Sequence, residues 1–191
     1  MKRTKTMVAS FILSLVSVSA IAAEMNAGTI HFTGQIIEPS CTIDGDNGTD
    51  STVPLGTYPN SLFTEVGKES ELIPFSIRLS DCPVKSDGLP SVQLTFNGST
   101  AVTGSTTLLD VSKITTDGDT AATGIGIAVT PADDNEDYIS FDGSEDQVRI
   151  TLPTTKEDQV LADFYARYQS FASDVTPGPA DADMTINILY R

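Results

Sequence analysis

Catalysis and metal binding draw on His, Cys and clustered acids, and this 191-residue chain has one His and two Cys: His31, Cys41 and Cys82. A Ser or Cys nucleophile needs a His or Lys base held against it. His31 lies on the polar face of an alternating run, away from any such partner in the sequence. No G-x-S-x-G, H-E-x-x-H or phosphate-cradling Gly loop occurs. A single His and two Cys leave zinc without a ligand set. The acids sit in loops: Asp44/Asp46/Asp50, Asp117/Asp119, Asp133/Asp134/Glu136/Asp137 and Asp142/Glu145/Asp146. Paired carboxylates serve glycosidases, but in Gly-rich loops they read as solvated surface. Residues 44–50, Asp-Gly-Asp-Asn-Gly-Thr-Asp, approach a calcium loop and miss it. Gly48 stands where a ligand belongs and no Glu follows at the twelfth position. The reading is a non-enzyme with no cofactor and no metal.

Charge narrows the partners. The chain has 26 acidic and 11 basic residues. Three of the basic ones (Lys2, Arg3, Lys5) precede the first acid, Glu24, so the remainder carries 8 positive and 26 negative charges, a net of −18. Such a surface disfavours nucleic acid and anionic lipid. Residues 1–22 have a basic start, an apolar run over 7–18 and the small residues Ala20-Ile21-Ala22. This is the pattern of a cleaved signal peptide. Cleavage is expected after Ala22, with Ala23 the close second. The apolar run is shorter than the roughly 20 residues that cross a bilayer, and Ser interrupts it. No later stretch is apolar enough to insert, so the reading is an exported protein with no direct membrane insertion.

Export gives the cysteines a meaning. In an oxidising compartment a Cys41–Cys82 disulfide is the default, and closing so long a loop is worth about 4 kcal/mol in the chain-entropy account. Two free thiols or a redox pair are the alternatives. A redox pair usually reads C-x-x-C, which this spacing is not.

The elements that would position these residues are strands. Gly28, Ile30, Phe32, Gly34 and Ile36 alternate with polar residues. So do Phe75, Ile77 and Leu79; Val92, Leu94 and Phe96; Ile125, Ile127 and Val129; Val148, Ile150 and Leu152; and Met184, Ile186, Ile188 and Tyr190. Turn pairs bound these runs, among them Asn47-Gly48, Asp87-Gly88, Asn97-Gly98, Asp117-Gly118 and Asp142-Gly143. Period two with such punctuation predicts an antiparallel sandwich with one face of each sheet buried. Helix competes only near residues 61–66 and 159–168, and strand is preferred for the second. The first run starts just after the expected cleavage point, and the last ends at Tyr190. Strands at both ends are pairing hazards that proteins usually blunt. Nothing blunts them here, so pairing is read as their purpose.

These end segments carry a resemblance. Gly28-Thr29-Ile30-His31-Phe32-Thr33-Gly34-Gln35-Ile36-Ile37, then Cys41-Thr42-Ile43, resembles the opening of type 1 fimbrial major-subunit pilins of the chaperone–usher route. Val53-Pro54-Leu55-Gly56 with Phe63 and Gly67 is similar to the next block of that family. Phe75-Ser76-Ile77-Arg78-Leu79-Ser80-Asp81-Cys82 resembles its second-cysteine strand. Val175-Thr176-Pro177-Gly178, then Ala180, Ala182, Met184, Ile186, Ile188 and Tyr190, resembles its C-terminal signature. The chain departs in its final Arg191, a short leader before Gly28, and acidic insertions near residues 44–50 and 133–137.

The resemblance implies an all-β, incomplete immunoglobulin-like sandwich that lacks its final strand and is completed by donor-strand exchange. It implies residues 1–22 as signal peptide, 23–37 as donor-strand extension and 38–191 as pilin domain. Gly28, Ile30 and Phe32 correspond to donor-strand residues. Met184, Ile186, Ile188 and Tyr190 correspond to the groove edge that a chaperone recognises, and Cys41 and Cys82 to the family disulfide. The implied partners are a periplasmic chaperone, an outer-membrane usher and neighbouring pilin subunits. The implied function is a structural subunit of a fimbria on a Gram-negative surface, supporting adhesion. The alternatives are a minor or tip-associated adhesive subunit and an exported free-standing β-sandwich binding protein.

Overall fold

The computed structural model describes residues 29–34, 36–38, 40–156 and 158–191. The expected signal peptide and Gly28 lie outside the described residues. The chain divides into two units, residues 1–33 and 34–191. Residues 29–33 of the first lie in no strand, with Ile30 80% and Phe32 93% exposed. Their alternation predicts a strand, yet a strand exists only where another backbone answers its N–H and C=O groups.

Among the described residues, the second unit has eight strands, all paired antiparallel: β1 (Thr42–Asp44), β2 (Ile73–Ser80), β3 (Ser91–Gly98), β4 (Leu109–Asp110), β5 (Ile125–Pro131), β6 (Val148–Thr151), β7 (Val160–Ser170) and β8 (Met184–Tyr190). They form a five-stranded sheet, β1-β2-β7-β5-β4, and a three-stranded sheet, β6-β3-β8. The alternation places Ile77 and Leu79, Ile127 and Val129, and Phe164 and Ala166 on the inner face of the first sheet. Val92, Leu94, Phe96 and Ile150 face them from the second. Phe164 joins the layers: it stacks on Phe75 at 5.4 Å and meets Phe96 edge-on at 5.8 Å. Residues 159–168, ambiguous in sequence, fall almost wholly within β7, and the other ambiguous stretch forms only a 3-10 turn at Asn60–Leu62.

Two expectations need correction. Asn97-Gly98, read as a turn, closes strand β3 in register with Thr185 and Met184. Gly fits closely there: a Cβ would lie 2.2 Å from a Leu109 methyl, which would have to move. Nor is only one face of each sheet buried. Ala128, Thr130 and Arg167 on the outer face of β5 and β7 are buried too, as are Gln93 and Thr95 on β3. The chain after β5 returns alongside it, with the Ile139 N–H on the Val129 carbonyl, and sets the Tyr138 ring over Arg167 at 4.9 Å. Arg167 Nε stands 3.0 Å from Glu69 Oε1, off the N–H axis, as an ion pair. The same Glu69 oxygen accepts from Tyr138 and Gln169. Over β3, the Gly143 N–H reaches the Phe96 carbonyl and the Asp146 N–H reaches Gln93.

Asp181 fastens another loop. Its carboxylate accepts the Thr116 hydroxyl at 2.6 Å and the backbone N–H groups of Thr116, Thr115 and Ile114 at 2.8, 2.7 and 3.0 Å. These bonds, the Thr116 hydroxyl foremost, hold its carboxyl well below the usual carboxylate range. A depressed pKa adds stability that is fully present above the unfolded-state value and lost as pH falls through the folded one. Asp181→Asn is expected to cost roughly 1–2 kcal/mol at neutral pH. In urea unfolding, the deficit should be clear at pH 7 and shrink as the solution is acidified well below the ordinary carboxylate pKa. A deficit that does not change with pH would show that the charge contributes nothing.

Candidate functional site

Strand β8 pairs on one side with β3, from Met184 opposite Gly98 to Tyr190 opposite Val92. Its other edge has no strand partner among the described residues. Met184, Ile186, Ile188 and Tyr190 are half-buried on the core side, while Thr185 and Asn187 face out, as the alternation predicts. A groove of about 710 Å³ runs between the start of β8 and the segment 49–53 that follows β1. Its floor is core: Phe75 and Ile77 from β2, Ile127 and Val129 from β5, and Ala166 from β7. Val53 and Leu55 form the far wall, and Asp44, Asp50 and Asp183 stand among the lining residues.

The floor is apolar because these positions belong to the main hydrophobic cluster or, like half-buried Phe75, pack against it. The free edge of β8 offers backbone donors and acceptors in a row. An extended peptide with alternate apolar side chains would satisfy both features at once. No group of three or more His, Cys, Asp or Glu poised to hold a metal is present among the described residues. Residues 44–50 form a turn, with the Asn47 and Asp50 backbones bridged and Gly48 at φ +70°.

The sequence candidates divide in space. Met184 and Ile186 line the groove, whereas Ile188 and Tyr190 pack against the core beyond it. The Tyr190 hydroxyl instead accepts the Cys41 N–H at 2.8 Å. Ile30 and Phe32 are exposed, and Gly28 lies outside the described residues. Cys41 and Cys82 are bonded, joining the chain just before β1 to the residue two beyond β2. The groove's far wall was not among the candidates, since a Val and a Leu in a loop carry no periodic signal.

The family model described as "Fimbrial protein" matches residues 30–191. The type-1 fimbrial protein subunit of Serratia marcescens is 34% identical over the full length of both chains. The chain belongs to the fimbrial protein family. Long polar fimbria protein A of Salmonella typhimurium is 33% identical, over 94% of this fimbrial chain and 92% of its own. Among solved structures, the P pilus rod subunit PapA superposes with a TM-score of 0.59 at 25% identity, covering 80% of this subunit and 99% of its own chain. A chaperone–usher pilus subunit superposes at 0.58, also with 25% identity, covering 90% and 100%.

The fold is therefore the immunoglobulin-like sandwich of chaperone–usher pilins. The protein is a structural fimbrial subunit, not an enzyme. Subunits of this family polymerise with neighbouring pilins into surface fimbriae of Gram-negative bacteria. Breaking the disulfide of this subunit, by reduction or Cys82→Ser, is expected to cost about 2–5 kcal/mol. Thermal unfolding with and without reductant reads this directly. Equal melting temperatures would mean that the bond does not support the fold.

Proposed function

We propose that the groove beside β8 accepts the N-terminal extension of a second subunit, residues 23–37, and that this exchange is the polymerising step. Gly28, Ile30 and Phe32 are the donor residues. Alternate side chains enter the groove, and the donor backbone pairs with the free edge of β8, so main-chain hydrogen bonds give affinity and pockets give register. Met184 and Ile186 receive the strand, and Ile188 and Tyr190 hold the same edge further along. Before assembly a periplasmic chaperone lends a strand to the groove, and at the outer-membrane usher the incoming subunit replaces it. Residues 1–22 direct export and are removed, and the disulfide closes in the periplasm. The finished fibre supports adhesion.

One observation carries this reading: a groove of about 710 Å³ with core residues among its lining runs along the unpaired edge of β8. A monomer with a complete sandwich would have closed that gap. The experiment is deletion of residues 24–36 in cells that assemble the fibre. The shortened subunit should still be exported and still bind the chaperone, because its groove is intact, but it should not support fibre growth. Normal fibres from the shortened subunit would defeat the proposal.

A further inference from the structure

Three ties converge where the extension would leave the sandwich. Cys41 is bonded to Cys82. Its backbone N–H donates to the Tyr190 hydroxyl at 2.8 Å, across 149 residues of sequence. Immediately before it, the Ser40 hydroxyl donates to the Asp81 carbonyl at 2.6 Å. Asp81 has φ +53°, a left-handed conformation that costs a non-Gly residue energy unless its surroundings hold it. Strand β1 begins at the next residue, Thr42, paired with Ser80. On the other side of these ties, Ile37 is half-buried against the core and Ile36 is 98% exposed.

Tyr190 is the last residue of β8, the strand whose start lines the groove. Its ring packs against the core, while its hydroxyl lies against the root of the extension. From this geometry we infer that Tyr190, with Ser40, is a positioning residue for strand donation: it clamps the root of the extension and so stiffens the joint between successive subunits. The inference rests on the donor-strand reading above. In a fibre built that way, each subunit hangs from the next by a single stretch of chain near residues 37–41. The angular freedom of that joint depends on how many fixed points hold the chain at Cys41. The disulfide fixes one side chain. The Tyr190 and Ser40 hydrogen bonds fix the backbone direction, which the disulfide alone leaves free to swivel.

The test compares fibres assembled from wild-type, Tyr190→Phe and Ser40→Ala subunits, with bending read from electron micrographs. Phe keeps the ring packing and removes only the hydroxyl, and Ser40→Ala does not touch β8 or the groove. Ser40→Ala subunits should form fibres in normal number, and any Tyr190→Phe fibres are measured beside them. For Tyr190→Phe the persistence length should shorten about twofold, since one ordinary hydrogen bond holds such a clamp shut by a factor of about two to ten. A core variant that lowers subunit stability without touching the joint, Ile150→Val, should leave bending unchanged. Wild-type stiffness in Tyr190→Phe fibres, or equal softening in Ile150→Val fibres, overturns the clamp. Should Tyr190→Phe not accumulate, Ser40→Ala decides alone, and wild-type stiffness there overturns it. Fibres that grow without residues 24–36 would remove the donor reading itself, a separate outcome.

Discussion

A subunit carrying a second copy of residues 23–37 after Arg191, through a short flexible linker, is expected to be monomeric and far more stable than the unfused chain. The groove floor holds Phe75, Ile77, Ile127 and Val129, all belonging to or packed on the main core cluster. Exposed apolar surface costs about 25 cal/mol for each Å² left unburied. The copied segment brings Ile30, Phe32 and Ile36, and burying side chains of this kind is worth about 1.5–3 kcal/mol each. Ordering the segment opposes this by about 1–2 kcal/mol per residue of backbone. The balance turns favourable because the strand also satisfies the free edge of β8, and because tethering supplies it at an effective concentration of about millimolar. Thermal unfolding and light scattering check the result: the fused chain should melt well above the unfused one and stay monomeric. Equal stability and an equally monomeric unfused chain would mean that no strand is missing.

Charged substitutions at the two ends should fail at different steps. Phe32→Asp places a carboxylate where an apolar floor waits. Burying that charge unpaired costs more than the burial of one neighbouring Ile returns, about 1.5–3 kcal/mol. The Phe32→Asp subunit keeps its own groove, so it should bind the chaperone and be unable to enter a neighbour. Tyr190→Asp should act earlier. It puts a charge on the half-buried face of β8 and removes the hydroxyl held by Cys41. The strand that the chaperone pairs with is then damaged, and the subunit should be degraded before reaching the usher. A pull-down on tagged chaperone with fibre counts separates the two: Phe32→Asp binds and makes no fibres, and Tyr190→Asp does neither. The reverse pattern, or two harmless variants, would make both strands plain core.

Much of this architecture was legible because a half-buried strand writes period two into its sequence. The runs at Phe75, Val92, Ile125, Val148 and Met184 fall in β2, β3, β5, β6 and β8, save Leu152 one residue past β6, with the apolar set turned inward. Strand β4, two residues long, is too short to show a period. Alternation also cannot say whether a loop roofs the second face. That decision is made by the chain folding back over β5 and β3, through contacts such as Tyr138 on Arg167 and Asp146 on Gln93. The Asp181 ties and the Cys41–Tyr190 bond join residues far apart in sequence, and a lone Asp or Tyr carries no local mark of such a role. The groove edge was legible at Met184 and Ile186, whose strand is regular. The far wall at Val53 and Leu55 was not, because it belongs to an irregular segment.

Donor-strand pairing is tested most directly by cross-linking between subunits. Phe32→Cys is combined in one chain with Met184→Cys, Ile186→Cys or Ile188→Cys, fibres are assembled, and the products are run without reductant. If residues 23–37 of one subunit lie in the groove of the next, at least one of these pairs bridges neighbours along the fibre. The gel should then show a ladder of dimer, trimer and longer chains that collapses to monomer on reduction, and neither single variant should give it. Fibres that form normally from all three double variants yet yield only monomer would contradict the account, because the strand would then be pairing elsewhere or not at all.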